Sequence, residues 1–142
     1  MNSTNSGIEG IYAYVAGQPQ KVTGAVVARA VALASPVNLV TAGAGTITAA
    51  LLAPGTTIVR TGPGAAFNDT FDTTANILAA YPEFEIGQSW TVDYVNTVAF
   101  AATFVAGDAN TTLTGKTNAG TYTRSKLVFT KTAATTLAIM SA

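Results

Sequence analysis

Residues 89–96 read Ser-Trp-Thr-Val-Asp-Tyr-Val-Asn. Trp90, Val92 and Tyr94 occupy alternate positions, with Thr91 and Asp93 between them. Successive side chains of a strand point to opposite faces, so this spacing predicts a half-buried strand with its aromatic side inward. The same reading extends towards the C-terminus. Val98, Phe100 and Phe104 are expected to share a face in the next run, and residues 107–110 to turn. Thr111–Thr114 reads as a short strand closed by Gly115. Arg124–Lys131 alternates, with Leu127 and Phe129 on one side, and Thr135–Met140 supplies a last strand.

Towards the N-terminus, turn residues set the punctuation. Thr56–Thr61 lies between Pro54-Gly55 and Gly62-Pro63-Gly64 and is expected as a strand. Thr46–Leu52 is expected as another, with Ile47, Ala49 and Leu51 on one side, and Val37–Val40 precedes Gly43-Ala44-Gly45. Lys21–Ala34 begins β-branched and ends Ala-rich; Gly24 and the closing Ser35-Pro36 favour strand over helix. Ile11–Ala16 reads as a strand, and the polar residues 1–10 belong to a flexible arm over 1–20. One helix is expected near 73–80, capped by Asp72 or Thr73 and stopped by Pro82. So short a helix must pack on a sheet to persist. Many short strands at spacings of about 8–12 residues predict an all-β fold, a β-sandwich or jelly roll over 21–142.

Composition narrows the function. The chain has 142 residues, seven basic and seven acidic, with no His and no Cys. Disulfides, a cysteine nucleophile, a Ser-His-Asp triad and the usual catalytic zinc sites are excluded. Zero net charge and the lack of a basic run argue against nucleic acid as a partner. No run reaches ~18 apolar residues and no leader pattern opens the chain, so neither a membrane span nor export is expected. The matches to the glycosylation pattern at Asn2, Asn68 and Asn110 are therefore read as by-products of a Thr-rich chain. A surface with little charge predicts association into an oligomer. Six of the seven acids fall between 69 and 108, and Lys116, Arg124, Lys126 and Lys131 follow. That separation favours ion pairs within the fold, with pairs between subunits as the alternative.

Candidate chemistry is sparse. Asp69 and Asp72 flank Thr70-Phe71 and have the composition of a calcium pair or a glycosidase pair. The structural reading makes Asp72 a helix cap and Asp69 a turn residue. Glu83 and Glu85 straddle Phe84 on one side of an extended segment, which reads as a solvated loop face rather than an acid-base pair. Trp90 reads as core rather than as a ligand-stacking residue. Neither glycine turn is followed by Gly-Lys-Ser/Thr, so neither cradles phosphate. No catalytic, cofactor or metal residue is assigned.

A resemblance sharpens this reading. The ordered series begins with Ile58-Val59-Arg60-Thr61-Gly62-Pro63 and continues through Asp69-Thr70-Phe71-Asp72-Thr73-Thr74-Ala75-Asn76-Ile77-Leu78-Ala79-Ala80-Tyr81-Pro82. Ile86-Gly87-Gln88-Ser89-Trp90, Tyr94-Val95-Asn96-Thr97, Ala106-Gly107, Thr112-Leu113-Thr114-Gly115 and Phe129-Thr130 follow in order. Residues 56–142 thereby resemble the capsid decoration, or cement, proteins of tailed bacteriophages. The resemblance implies a non-enzymatic homotrimer on the outer face of the virion. It would sit at three-fold and quasi-three-fold positions, bridge the phage major capsid proteins, and be made in the bacterial cytoplasm. It implies no cofactor. The chain departs from the family pattern at Asp108-Ala109-Asn110, where a second glycine is commoner, and residues 1–50 have no counterpart. On this reading residues 1–20 contact the shell, and strands within 88–105, including Phe100 and Phe104, form the subunit interface. The rival reading is a carbohydrate-binding or other structural module of a phage tail or fibre, which exposed aromatics would mark. A carboxylate-only glycosidase comes third.

Overall fold

The computed structural model describes residues 36–142. The expected arm over 1–20, the strands expected over Ile11–Ala16 and Lys21–Ala34, and residues 21–35 of the expected domain lie outside the described residues. Ten strands follow among those described: β1 (Val37–Val40), β2 (Gly45–Ile47), β3 (Thr57–Thr61), β4 (Phe67–Phe71), β5 (Ser89–Asn96), β6 (Ala102–Val105), β7 (Thr111–Gly115), β8 (Asn118–Ala119), β9 (Arg124–Ala133) and β10 (Thr136–Ser141). One helix, α1 (Thr74–Ala80), and a 3-10 turn over Ala49–Leu52 interrupt them. The all-β class with one short helix is the observed class.

The strands form two mixed sheets, ordered β1-β3-β5-β9-β10-β7 and β2-β4-β6-β8. From β1 to β8 the chain changes sheet at every step. Strands two apart in sequence therefore become neighbours, and β1–β3, β3–β5, β2–β4 and β4–β6 all pair in parallel. The strand laid in the opposite sheet serves as the crossover that a parallel pair needs. Only β5–β9, β9–β10 and β6–β8 are antiparallel, and β10–β7 is again parallel.

The sheets face one another across a chain of aromatic rings. Phe84 stacks on Trp90 at 4.5 Å and Trp90 on Phe129 at 5.3 Å. Phe129 meets Phe71 of the other sheet edge-on, Phe71 meets Phe104, and Phe104 meets Tyr94 edge-on at 5.0 Å. Two polar tips in this layer find backbone acceptors: the Trp90 indole donates to the Leu52 carbonyl and the Tyr81 hydroxyl to that of Ala49.

Three expectations change. Thr46–Leu52 is not one strand. The Asp72 carboxylate captures the Ala49 amide at 2.9 Å and the chain coils, so Ala49 and Leu52 turn inward rather than Ala49 and Leu51. Asp69 is not a turn residue. It is the central inward position of β4, between Phe67 and Phe71. Val98 and Phe100 do not share a strand with Phe104: β6 starts at Ala102, and Phe104 lies in the core. Phe104 is thereby removed from any subunit interface.

Asp69 is matched by Arg60, inward on β3 of the other sheet. Both side chains are fully buried, and Arg60 Nε donates to Asp69 Oδ2 at 2.8 Å. The Tyr94 hydroxyl donates to the same oxygen at 2.6 Å, and the Gly45 amide donates to Oδ1 at 3.0 Å. The rest of the guanidinium donates to the carbonyls of Leu39, Thr41, Thr61 and Gly43. Gly45 is required here, because a Cβ would stand 2.8 Å from Asp69 Oδ1.

Replacing Arg60 with Met strands the Asp69 carboxylate in the core and is expected to cost roughly 3–5 kcal/mol. An R60M/D69L double variant removes both charges and should recover part of that loss. Urea unfolding followed by the single Trp measures both; an R60M loss below about 1 kcal/mol, the scale of an exposed pair, would refute this role.

Candidate functional site

The acidic residues singled out in the sequence do separate jobs. Asp69 is sealed in the core with both oxygens occupied. Burial, and after it the Asp69 carboxylate, push the Tyr94 phenol well above its ordinary value of 10.0, so it remains a donor. Asp72 follows β4 and joins three segments. Its Oδ2 accepts from Ala49 N, and its Oδ1 accepts from Thr73 N and from Asn76 Nδ2 at 2.7 Å. The Ala49 amide first, then the Asn76 side chain, hold its carboxyl below 3.8. Thr73 is the helix cap, accepting from the Asn76 amide at 3.3 Å. The two aspartates therefore form neither a calcium pair nor a glycosidase pair. Among the described residues no group of three or more His, Cys, Asp or Glu is placed to hold a metal ion.

Asp108 has a role that the sequence did not reveal. It lies in the turn between β6 and β7 and reaches back to α1. Its Oδ2 accepts from Thr74 N at 2.8 Å, and its Oδ1 accepts from the Thr74 hydroxyl and the Asn110 amide. Desolvation opposes its ionisation, but the Thr74 amide and hydroxyl outweigh it and hold the carboxyl below 3.8. Asp108 thus places at this turn the carboxylate that anchors the helix start. Gly107 before it passes so close to the Asp72 carbonyl that a Cβ would stand 2.2 Å away.

Glu85 stands exposed on the α1–β5 loop, and Glu83 shares that exposed loop. The loop is fastened by Lys131 Nζ donating to the Phe84 carbonyl and by the Glu85 amide donating to Gln88 Oε1. Trp90 is enclosed in the aromatic chain and offers no face to a ligand. Asp93 pairs with Arg124 at 2.7 Å and Lys126 at 3.4 Å across the exposed face of β5 and β9. The hydrogen bond from Arg124 first, then the two positive charges, hold Asp93 below 3.8. This is the pairing within the fold that charge separation suggested.

Part of the outer face of the six-stranded sheet is uncharged, next to the Asp93 and Lys126 pair. Its register aligns Ser89, Thr130, Ala138 and Thr112 in one row across β5, β9, β10 and β7. Thr91, Val128, Met140 and Thr114 form the next row. These eight side chains carry no charge, and Met140 at their centre is 47% exposed. The outer face of the other sheet is also neutral but more polar, with Asn68, Thr103 and Asn118 in one row. No helix among the described residues is long and apolar enough to cross a membrane. Comparisons of the chain with protein-family models, with curated proteins and with solved structures find no match.

Asp72, Asp93 and Asp108 all ionise below the unfolded value of 3.8 in the folded chain. Each contributes stability that is complete well above 3.8 and is lost as pH falls through its folded value. Asp108→Asn should therefore lower Tm at pH 7, and the gap to the parent should close as pH drops below 3.8. Thermal unfolding between pH 7 and pH 2 checks this; a gap that stays constant would contradict it.

Proposed function

We propose that the chain is a non-enzymatic capsid decoration protein, a homotrimer bound to the outer shell of a tailed-phage virion. The ordered resemblance over residues 56–142 supports the family, and the face-to-face sheets support a β-sandwich body. Jelly rolls are built from antiparallel neighbours. Five parallel pairings depart from that pattern, so the support for a sandwich is the two facing sheets and not their strand order.

The observation that carries the reading is the charge-free double row on the outer face of β5, β9, β10 and β7. These two rows of Ser, Thr, Val, Ala and Met can pack against another copy, and the charges of the next row, Asp93 and Lys126, already pair with each other. The subunit interface is placed here, on β5 and its neighbours, rather than at Phe100 and Phe104. A trimer then holds the shell through three linked contacts, and avidity grows without any strong single contact. Residues 1–20 are proposed to supply the contact with the major capsid protein.

Light scattering of the full chain at two concentrations tests the reading. The expected mass is three times the 14.4 kDa of one chain. Met140→Glu should yield a folded monomer whose Tm no longer depends on concentration. A parent that is monomeric at both concentrations would remove the decoration reading, and an M140E trimer would remove this interface. Deleting residues 1–20 should abolish binding to undecorated capsids while the trimer persists; retained binding would exclude that segment from the contact.

A further inference from the structure

At one end of the sheets, one buried side chain fastens two loops together. The loops are residues 97–101, between β5 and β6, and residues 120–123, between β8 and β9. Asn96 ends β5 and is 1% exposed. Its amide nitrogen donates to the Phe100 carbonyl at 2.7 Å and to the Gly120 carbonyl at 2.8 Å, and its oxygen accepts from the Val98 amide at 3.2 Å. The Tyr122 amide donates to the Val98 carbonyl, and the Asn96 amide to that of Thr123.

Two large apolar side chains stand exposed on these fastened loops: Phe100 at 38% and Tyr122 at 70%. Tyr122 has φ +50°, the one positive φ outside glycine among the described residues. A bulky residue in that region is an outlier. Such strain persists where the surroundings over-determine it, and it clusters at ligand contacts. Here the Asn96 clamp over-determines the backbone. The Tyr122 hydroxyl makes no hydrogen bond among the described residues.

The chemistry of the surroundings selects the ligand. Residues 97–103 and 117–123 carry no charged side chain, and five of them are threonines. Within these stretches an ionic ligand would meet no counter-charge, and of the bordering cations Lys116 and Arg124, Arg124 already pairs with Asp93. A stable protein interface engages about 20–30 residues on each side, more than these two stretches together contain. An aromatic ring with a polar rim suits a ligand that has apolar C–H faces and hydroxyl edges. We propose that Phe100 and Tyr122 form a stacking platform for a neutral saccharide. The rings cover the C–H faces of the sugar, while the Tyr122 hydroxyl and neighbouring threonines meet its hydroxyls. This site lies apart from the Met140 face and stands whether or not the chain decorates a capsid.

The test is an NMR titration of the full chain with cellohexaose, chitohexaose and maltohexaose at millimolar concentrations. At least one should shift resonances of residues 97–103 and 117–123 saturably. Phe100→Ala and Tyr122→Gly should each weaken that binding about tenfold, the scale of one lost aromatic contact. Tyr122→Gly should keep or raise Tm, because glycine accepts a positive φ without strain. No saturable shift with any of the three sugars would overturn the proposal. So would unchanged affinity in Y122G. A fall in oligomer mass in F100A would assign the patch to contact between copies and overturn it as well.

Discussion

Asp69, on β4, is reached by groups from three other strands, β2, β3 and β5, and these strands come from both sheets. A carboxylate with no access to water must be paired and hydrogen-bonded, and only one arrangement of those strands supplies a guanidinium, a phenol and an amide together. The arrangement also sets register. A slip of one residue in β4 would turn Asp69 outward and leave Arg60 buried without its counter-charge. Arg60 in turn donates to the carbonyls of Leu39, Thr41 and Gly43 at the β1–β2 crossing and so ties that crossing to the core. Such a pair adds little stability over a well-packed apolar pair of equal volume, and its larger contribution here is to specify how the strands cross.

Four aspartates are engaged within the fold, and the exposed Asp93, Arg124 and Lys126 lie beside the uncharged rows of the large sheet rather than in them. Asp69, Asp72, Asp93 and Asp108 are each engaged by amides, hydroxyls or cations of the same chain. The double row of uncharged side chains on the large sheet is therefore a product of how the chain folds as well as of its composition. A neutral face associates by shape and by area removed from water, with little dependence on salt.

Much of the fold was legible wherever a strand alternates strictly. Trp90, Val92 and Tyr94, and later Leu127 and Phe129, declared their inward face through period two alone. Thr73 with Pro82 bounded the helix closely. β4 was hidden because its central inward residue is an aspartate, and a charge at an inward position reads as loop until its buried partner is known. The coil after Ile47 was hidden for a related reason: the Asp72 carboxylate that bends it lies more than twenty residues away. Asp108 and Asn96 escaped notice because each acts on backbone groups of distant segments, and no local pattern announces such a partner. Pairing direction was also out of reach, since alternation along a strand says nothing about which strand lies beside it.

The switching of sheets at each step from β1 to β8 has a kinetic consequence. No two consecutive strands in that stretch pair with each other, so no local hairpin can form there first. Each sheet needs the other to be laid down before its own neighbours meet. Nearly every early contact must close a long loop, and high contact order of this kind slows folding to the millisecond-to-second range. Unfolding has to undo the same interleaving. Strands wound in this way open as one unit rather than one hairpin at a time.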